Sequence, residues 1–429
     1  MNDFYKKQDK KQQELYITLL EVTGSLSNLF AESTSPFIYY RAMENIFCKA
    51  FDAENLSRSD ISADASKDRI GIGLKTFLHG NGDTFQKVAE FNRASYNFEG
   101  LSDFDLVMKV SEMRNQRIES TMRMCDLNCM IYHLLTRSKG KMSLYEENMD
   151  LIDLNNIKLL KNPGKTTVHF TDGKNEYNFN KSKSTLLKRF HTGIDNKITD
   201  FDVDILDDPF DFLLAARTIN NNSLCTEVAE NDLSKSEYDT TGGNIVDFTK
   251  IHSDNKTVNY NELNKIIYKS NEVVDYIVLP LYSPRSGLVQ EKSGLNQWNA
   301  SGRKRNPDEV YISVPSWIHK DKPDFFKDLY NTTDYKTENF SVKLPNRKIL
   351  DMKIAQDGGK ALMSNPNKAL GFWILREVLN LPYGKIVTKQ MLDFIGVDSV
   401  KLSKLKNGDF ALDFLKSGSY EIFEENYKI

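Results

Sequence analysis

The segment from Lys197 to Glu262 carries fourteen acidic and five basic residues. Side chains so unbalanced in charge repel one another and are costly to bury, so they do not build a shared core. The acidic, Asn-rich stretch from about residue 197 to 265 therefore reads as the tail of one module plus a connector to a second. The flanks differ in texture. Before the segment, helical periodicities alternate with strands; after it come short apolar runs separated by turns. The chain has a net charge of −3, which leaves +6 outside the segment. A mildly basic body with an acidic connector is compatible with a polyanionic partner.

With 429 residues the chain is long enough for two or three cores. No apolar run reaches the length of a membrane span. The start, "MNDFYKKQDKKQQELY", lacks the apolar centre of a signal peptide. Cys48, Cys125, Cys129 and Cys225 are too scattered for a disulfide framework. We expect a cytoplasmic protein with no membrane contact.

The first module reads as α/β (α+β) with a central mixed sheet. Residues 14–52 carry helical spacing, with Phe37, Tyr40, Ile46, Phe47 and Phe51 at near-helical intervals. Two short strands around a turn follow, within "DISADASKDRIGIGLKTF" (60–77). "GDTFQKVAEFNRAS" and "FDLVMKVSEMRNQRIESTMRM" predict helices. "CDLNCMIYHLLTR" fits a helix end or a buried strand. "MDLIDL", "KTTVHFTDG" and "NEYNFN" predict strands. The second module, 273–429, predicts a β-rich barrel from "VVDYIVLPLY", "EVYISVP", "FSVKLPN", "ILDMKIA" and "YEIF", interrupted by one helix, "NKALGFWILREVLNL".

Two constellations carry chemistry. In the first, Lys75 ends an otherwise apolar strand, with Asp64 and Asp60 on the strand before it. Carboxylates hold Mg²⁺ through oxygen, and a cation beside the attacking water orients a phosphate. Gly73 stands two residues before the lysine, where an acid would share its strand face. A glycine inside a strand marks close approach of another backbone or a ligand. Glu90, on the following predicted helix, and Glu44, on an earlier one, are the acids that could fill the gap. The competing reading of the Asp64–Lys75 pair is a surface ion pair, worth little.

The arrangement resembles the restriction endonucleases of the PD-(D/E)xK nuclease superfamily. In one branch of these the strand lysine is followed by Thr or Ser and the second acid comes from the next helix. "LKTF…QKVAEFN" is similar, with "SADA" in place of the Pro-Asp pair and "GLK" in place of the acid-x-Lys. The resemblance implies Asp64 and Glu90 as Mg²⁺ ligands, with Asp60 as the alternative to Asp64. It also implies Lys75 at the water and phosphate, and Glu44 as a helix acid.

The second constellation is "SPRSGLVQEKSGLNQWNASGRKRNPDEVYISVP", Ser283–Pro315. Arg285, Lys292, Arg303, Lys304 and Arg305 could neutralise phosphates. Asn296, Gln297, Asn299 and Asn306 could read base edges, and Trp298 could stack or brace the loop. A second polar stretch, Ala355–Gly371, holds Gln356, Lys360, Ser364, Asn365 and Asn367. The region from about 273 to 429 resembles the B3-like pseudobarrel of restriction enzymes and plant transcription factors. That implies two arms entering the major groove of double-stranded DNA.

Together these imply two domains, 1–265 for cleavage and 273–429 for recognition. The whole would be a type II site-specific deoxyribonuclease acting as a homodimer or higher homo-oligomer, with a cognate methyltransferase. The alternatives are a catalytically silent DNA-binding protein and a repair or RNA-processing nuclease. Other features carry less. Cys125-x3-Cys129 without a histidine pair reads as packing rather than zinc. His79 reads as turn structure and His133 as a core histidine. "NKSKSTLLKRF" is basic and fits a solvated helix face or a nucleic-acid contact. Neither a P-loop nor a dinucleotide fingerprint is visible.

Overall fold

The structure, a computed structural model, describes residues 4–56, 61–80, 82–160, 166–214, 273–330 and 334–427. Asp60 and most of the acidic segment lie outside them.

The chain begins with α1 (Phe4–Lys7), α2 (Lys10–Ser25) and α3 (Tyr40–Phe51), followed by β1 (Glu54–Asn55), β2 (Ala65–Lys67) and β3 (Ile70–Leu78). Then come β4 (Asp83–Glu90), α4 (Asp103–Met124), β5 (Cys129–Ser138) and β6 (Lys141–Asn148). The remaining strands of this half are β7 (Lys158–Leu159), β8 (Thr167–Thr171), β9 (Glu176–Asn180), β10 (Thr185–His191) and β11 (Lys197–Asp202). They form two sheets. The first is mixed, in the order β1-β2-β3-β5-β6-β11, with β3 parallel to β5 and its other pairs antiparallel. The second is antiparallel, in the order β4-β10-β9-β8-β7.

The central mixed sheet is as the sequence predicts. One face packs under α2 and α3 through Tyr16, Leu20, Phe47 and Phe51 against Ile72, Ile131 and Leu135. His133 on this face is fully buried, between the Tyr16 hydroxyl (3.1 Å) and Glu146 (3.0 Å). The other face meets α4. Ser102 caps that helix by accepting from the Asp105 N–H, and Asp103 and Asp105 complement the dipole in its first turn. Its Leu106, Val107, Val110 and Met113 pack on the second sheet. Ile118 packs on the first.

Three expectations are corrected here. "GDTFQKVAEFNRAS" is mainly the strand β4, because β10 supplies it with an antiparallel partner along its length. "NKSKSTLLKRF" is that partner rather than a helix face, and its Lys188 is buried against Glu147. "MDLIDL" is not a strand. Met149 and Ile152 are buried three residues apart, and the Asn115 side chain on α4 bonds both the N–H and the C=O of Ile152 at 2.8 Å. The backbone groups a strand partner would have satisfied are satisfied by one amide.

The C-terminal half contains β12 (Val273–Pro280), β13 (Ile312–Ser313), α5 (Ser316–Asp321), β14 (Phe340–Lys343), β15 (Ile349–Ala355) and β16 (Ala361–Ser364). The helix α6 (Ala369–Gly371) continues as a π-helical turn, Phe372–Val378. Then follow α7 (Lys389–Ile395), β17 (Val397–Leu405), β18 (Phe410–Lys416) and α8 (Ser419–Tyr427). One seven-stranded sheet runs β12-β17-β18-β14-β15-β16-β13, and it curls until its outer strands, β12 and β13, approach each other. Where the sequence predicts a β-rich barrel, the sheet is a curled half-barrel. "YEIF", expected as a strand, lies in α8: Tyr420 and Phe423 are buried and Ile422 between them is exposed, a spacing of three that four residues are too few to reveal.

The halves share a boundary. Met124, at the end of α4, enters the core of the C-terminal half. Arg123 Nε donates to the Val378 carbonyl at 2.9 Å, and Lys109 sits 4.5 Å over the Phe394 ring.

Gly371 is where the first polar arm meets α6. A Cβ there would stand 1.8 Å from the Asp308 carbonyl oxygen, a backbone atom that cannot turn away. Gly371→Ala should therefore cost the protein about 3 kcal/mol or more. Urea unfolding monitored by tryptophan fluorescence would measure it; an unchanged midpoint would contradict this packing.

Candidate functional site

Lys75 lies near the end of β3, on the face it shares with Gly73, beside Tyr132 and Leu134 of β5. Gly73 leaves room for its neighbours: a Cβ there would come within 2.6 Å of the Met149 methyl and 3.2 Å of the Tyr132 ring. At Gly71 it would meet Leu127 at 2.7 Å and Met130 at 2.9 Å. The strand glycines thus admit side chains of the same core, which is the close approach that glycine in a strand predicts, with packing rather than a ligand as its agent. The space an acid at position 73 would use holds Met149.

Asp64 immediately precedes β2. Its N–H donates to the Ile72 carbonyl (2.8 Å) and its Oδ2 accepts from the Leu74 N–H (2.7 Å), so its carboxylate lies along the backbone of β3, next to Lys75. Burial pushes the Asp64 carboxyl above the usual aspartate value, opposed by Lys75, the Leu74 N–H and Arg41. Arg41 and Glu44 come from α3 and bond to each other at 2.9 Å, with Glu44 buried. The Cys48 thiol on the same helix is pushed to about 12, by burial and then by Glu44, Asp64 and Glu54. Asp64, Glu44, Arg41 and Lys75 therefore act on one neighbourhood. Arg41 went unnoticed in the sequence, although its place three residues before Glu44 on an amphipathic helix is a readable signal.

Glu90 is carried by β4, not by a helix. It lines the same cleft as Lys75, a cavity of about 530 Å³ walled by β3, β4, α4 and the C-terminal half. Its carboxylate is half-exposed and bonds Lys87 (2.9 Å) and the Asn92 amide (2.5 Å). Among the described residues no three His, Cys, Asp or Glu side chains are grouped so as to hold a metal ion.

The arms divide by burial. Asn296 is fully buried and bonded three times, to the carbonyls of Gln290 (3.1 Å) and Val387 (2.9 Å) and from the Val387 N–H (2.8 Å). It ties the arm to the barrel and is turned away from any base. Ser364, also fully buried, bonds the Pro366 carbonyl and the Leu370 N–H, each at 2.9 Å. Trp298 braces the core. Arg303 pairs with the buried Glu309, Gln297 reaches the same carboxylate at 3.5 Å, and Arg305 folds back on the Ala300 carbonyl at 2.9 Å. Gln356 sits half-buried at a positive φ of 66° in the turn before β16.

The exposed group is Arg285, Lys292, Asn299, Arg303, Lys304 and Asn306 on the first arm, Arg303 being exposed despite its pairing with Glu309, with Lys360, Asn365 and Asn367 on the second. Asn299 donates to the Glu291 carbonyl (3.1 Å), and Asn306 accepts from the Asp308 N–H (2.9 Å). Among the described residues no helix is long and apolar enough to cross a membrane.

Residues 270–406 match the family model of the NgoFVII C-terminal B3-like DNA-binding domain. The match covers the curled sheet through β17 and contains both arms. Residues 270–406 are thus similar to a B3-like DNA-binding domain of a restriction enzyme. No curated protein matches the chain.

Two outcomes follow. Asp64 carries a raised pKa in the fold, so Asp64→Asn should raise the melting temperature at neutral pH. That gain should shrink as the pH falls through the folded value towards the ordinary aspartate value, where wild-type Asp64 is protonated in both states. Melting curves across pH would show it, and a variant that melts lower at neutral pH would mean that Lys75 and Arg41 outweigh burial. On the arms, Asn296→Ala should cost about 2 kcal/mol of stability, whereas Lys304→Ala should leave stability alone and reduce the salt slope of duplex binding by about 0.9. Binding isotherms at several salt concentrations would separate the two.

Proposed function

We propose that this protein is a sequence-specific endonuclease of the type II restriction kind, its C-terminal domain selecting a duplex site and its N-terminal half cutting there. The observation that carries the reading is the pairing of a restriction-enzyme DNA-binding domain with the Asp64–Lys75 neighbourhood at one mouth of the mixed sheet. The parallel β3–β5 pair, with α4 crossing between them, agrees with a PD-(D/E)xK-type core.

In this reading Asp64 would hold Mg²⁺, which would supply an activated water and offset developing charge on a phosphate. Lys75 donates to the attacking water or a non-bridging phosphate oxygen and fixes its direction. Glu90 faces the cleft that Lys75 lines, whereas Asp64 is not among its lining residues; to act as the second acid Glu90 would have to leave Lys87. Glu44 keeps Arg41 oriented beside Asp64. Exposed Arg285, Lys304 and Lys360 neutralise phosphates while Asn365 and Asn367 reach towards bases. Cutting both strands takes two active sites, which calls for a second copy of the chain. A methyltransferase of the same specificity would protect the host DNA.

A silent DNA-binding protein is the second reading. It is favoured by Met149 filling the place an acid at position 73 would use. Plasmid digestion with Mg²⁺ and with EDTA decides between them. The nuclease reading expects discrete fragments with Mg²⁺ and none with EDTA. Lys75→Ala should cut about a hundred-fold more slowly, or worse, while shifting the same duplex in a gel. A Lys75→Ala protein that cuts at the wild-type rate ends the assignment.

A further inference from the structure

The helix α4 turns two arginines, one turn apart, into the cleft that Lys75 and Glu90 also line. Arg114 is 1% exposed. Its Nη1 donates to the Asp150 carbonyl (2.9 Å) and its Nη2 to the Tyr132 hydroxyl (3.2 Å), while its Nε, buried, has no partner. Arg117 donates to the Glu90 carbonyl through Nη1 (2.6 Å) and lies 4.3 Å from the Phe91 ring centroid, and its Nε too is buried and unpartnered. Neither guanidinium forms an ion pair with a carboxylate among the described residues. Burial lowers the Arg117 guanidinium to about 10, with only Glu90 opposing, and it remains charged at neutral pH.

A guanidinium withdrawn from water with no carboxylate paired to it is costly, and an anion bound there would offset that cost. Two of them, with orphaned N–H groups and Lys75 in the same cleft, make a site for an anion with several acceptor oxygens. Arginine's fork fits phosphate oxygens better than an ammonium does. The cavity, at about 530 Å³, is of the size that ligand sites occupy. Lys416 and Asp393 close its far wall from the C-terminal domain.

We propose that Arg114 and Arg117 form a phosphate-binding site for a nucleic-acid strand, filled from the cleft between the two halves. The site rests on the cleft's geometry and requires neither Mg²⁺ nor strand cleavage. It would hold a backbone phosphate near Lys75 independently of the arms on the barrel.

The test uses the full chain in EDTA, with thymidine 3′,5′-bisphosphate as probe and thymidine as the control lacking phosphate. Calorimetric titration and melting curves serve as readouts. The bisphosphate should bind and raise the melting temperature, and thymidine should do neither. Arg117→Met should weaken bisphosphate binding by about ten-fold or more, as should Arg114→Lys, which keeps the charge but loses the fork. If the Arg114 variant does not fold, Arg117→Met decides alone, its fold verified by circular dichroism. A short single-stranded oligonucleotide should compete with the bisphosphate; failure to compete while the bisphosphate binds would assign the cleft to free nucleotides and overturn the strand claim. Wild-type affinity in Arg117→Met, or no binding to wild type, overturns the site. Because EDTA is present throughout, loss of Mg²⁺-dependent cutting alone leaves this result untouched.

Discussion

The burial of α4 on three hydrophobic cores is the constraint on which the rest depends. Its N-terminal half covers the second sheet, Ile118 reaches the first, and Met124 enters the barrel. Each such side chain contributes about 1.5–3 kcal/mol when withdrawn from water. No part of the helix can rotate without exposing one of these faces. The side chains left over, Arg114 and Arg117 among them, are therefore held facing the cleft. Packing that joins the halves also fixes the cations between them.

The chemistry nearby follows from what that packing leaves open. Asp64 keeps a raised pKa because burial against β3 outweighs Lys75, the charge that most opposes the rise. Met149 keeps position 73 free of any side chain. The acids Glu44, Asp64 and Glu90 are thus dispersed over α3, the residue before β2 and the end of β4, rather than gathered on one strand. On the barrel the same logic separates scaffold from surface. Asn296 and Ser364 spend their polar atoms on backbone groups, and that bonding holds the exposed lysines and asparagines in place.

Much of this was legible in advance, for identifiable reasons. The mixed sheet and α4 have long periodic patterns, and Lys75 on an apolar strand stood out by charge alone. The barrel strands announced themselves as β-branched runs between turns. Four errors have one origin. In β4, in β10, in "MDLIDL" and in the last helix, the deciding partner lay far away in sequence, or the window was shorter than the helical repeat. Burial of individual polar residues was illegible for the same reason. Asn296 and Asn299 look alike in a Gly- and Asn-rich loop, and only Val387, 91 residues away, distinguishes them. Arg114 and Arg117 were visible as side chains at helical spacing, but the cleft they face is made by folding.

The shared boundary along α4 has a consequence for the covalent chain. Apolar burial, the Arg123–Val378 hydrogen bond and the Lys109–Phe394 contact hold the halves by the interactions that hold a heterodimer together. Held so, the two halves would stay associated by these contacts as separate chains do. Two separately synthesised fragments would have the means to find each other and reconstitute the whole, as a split reporter does.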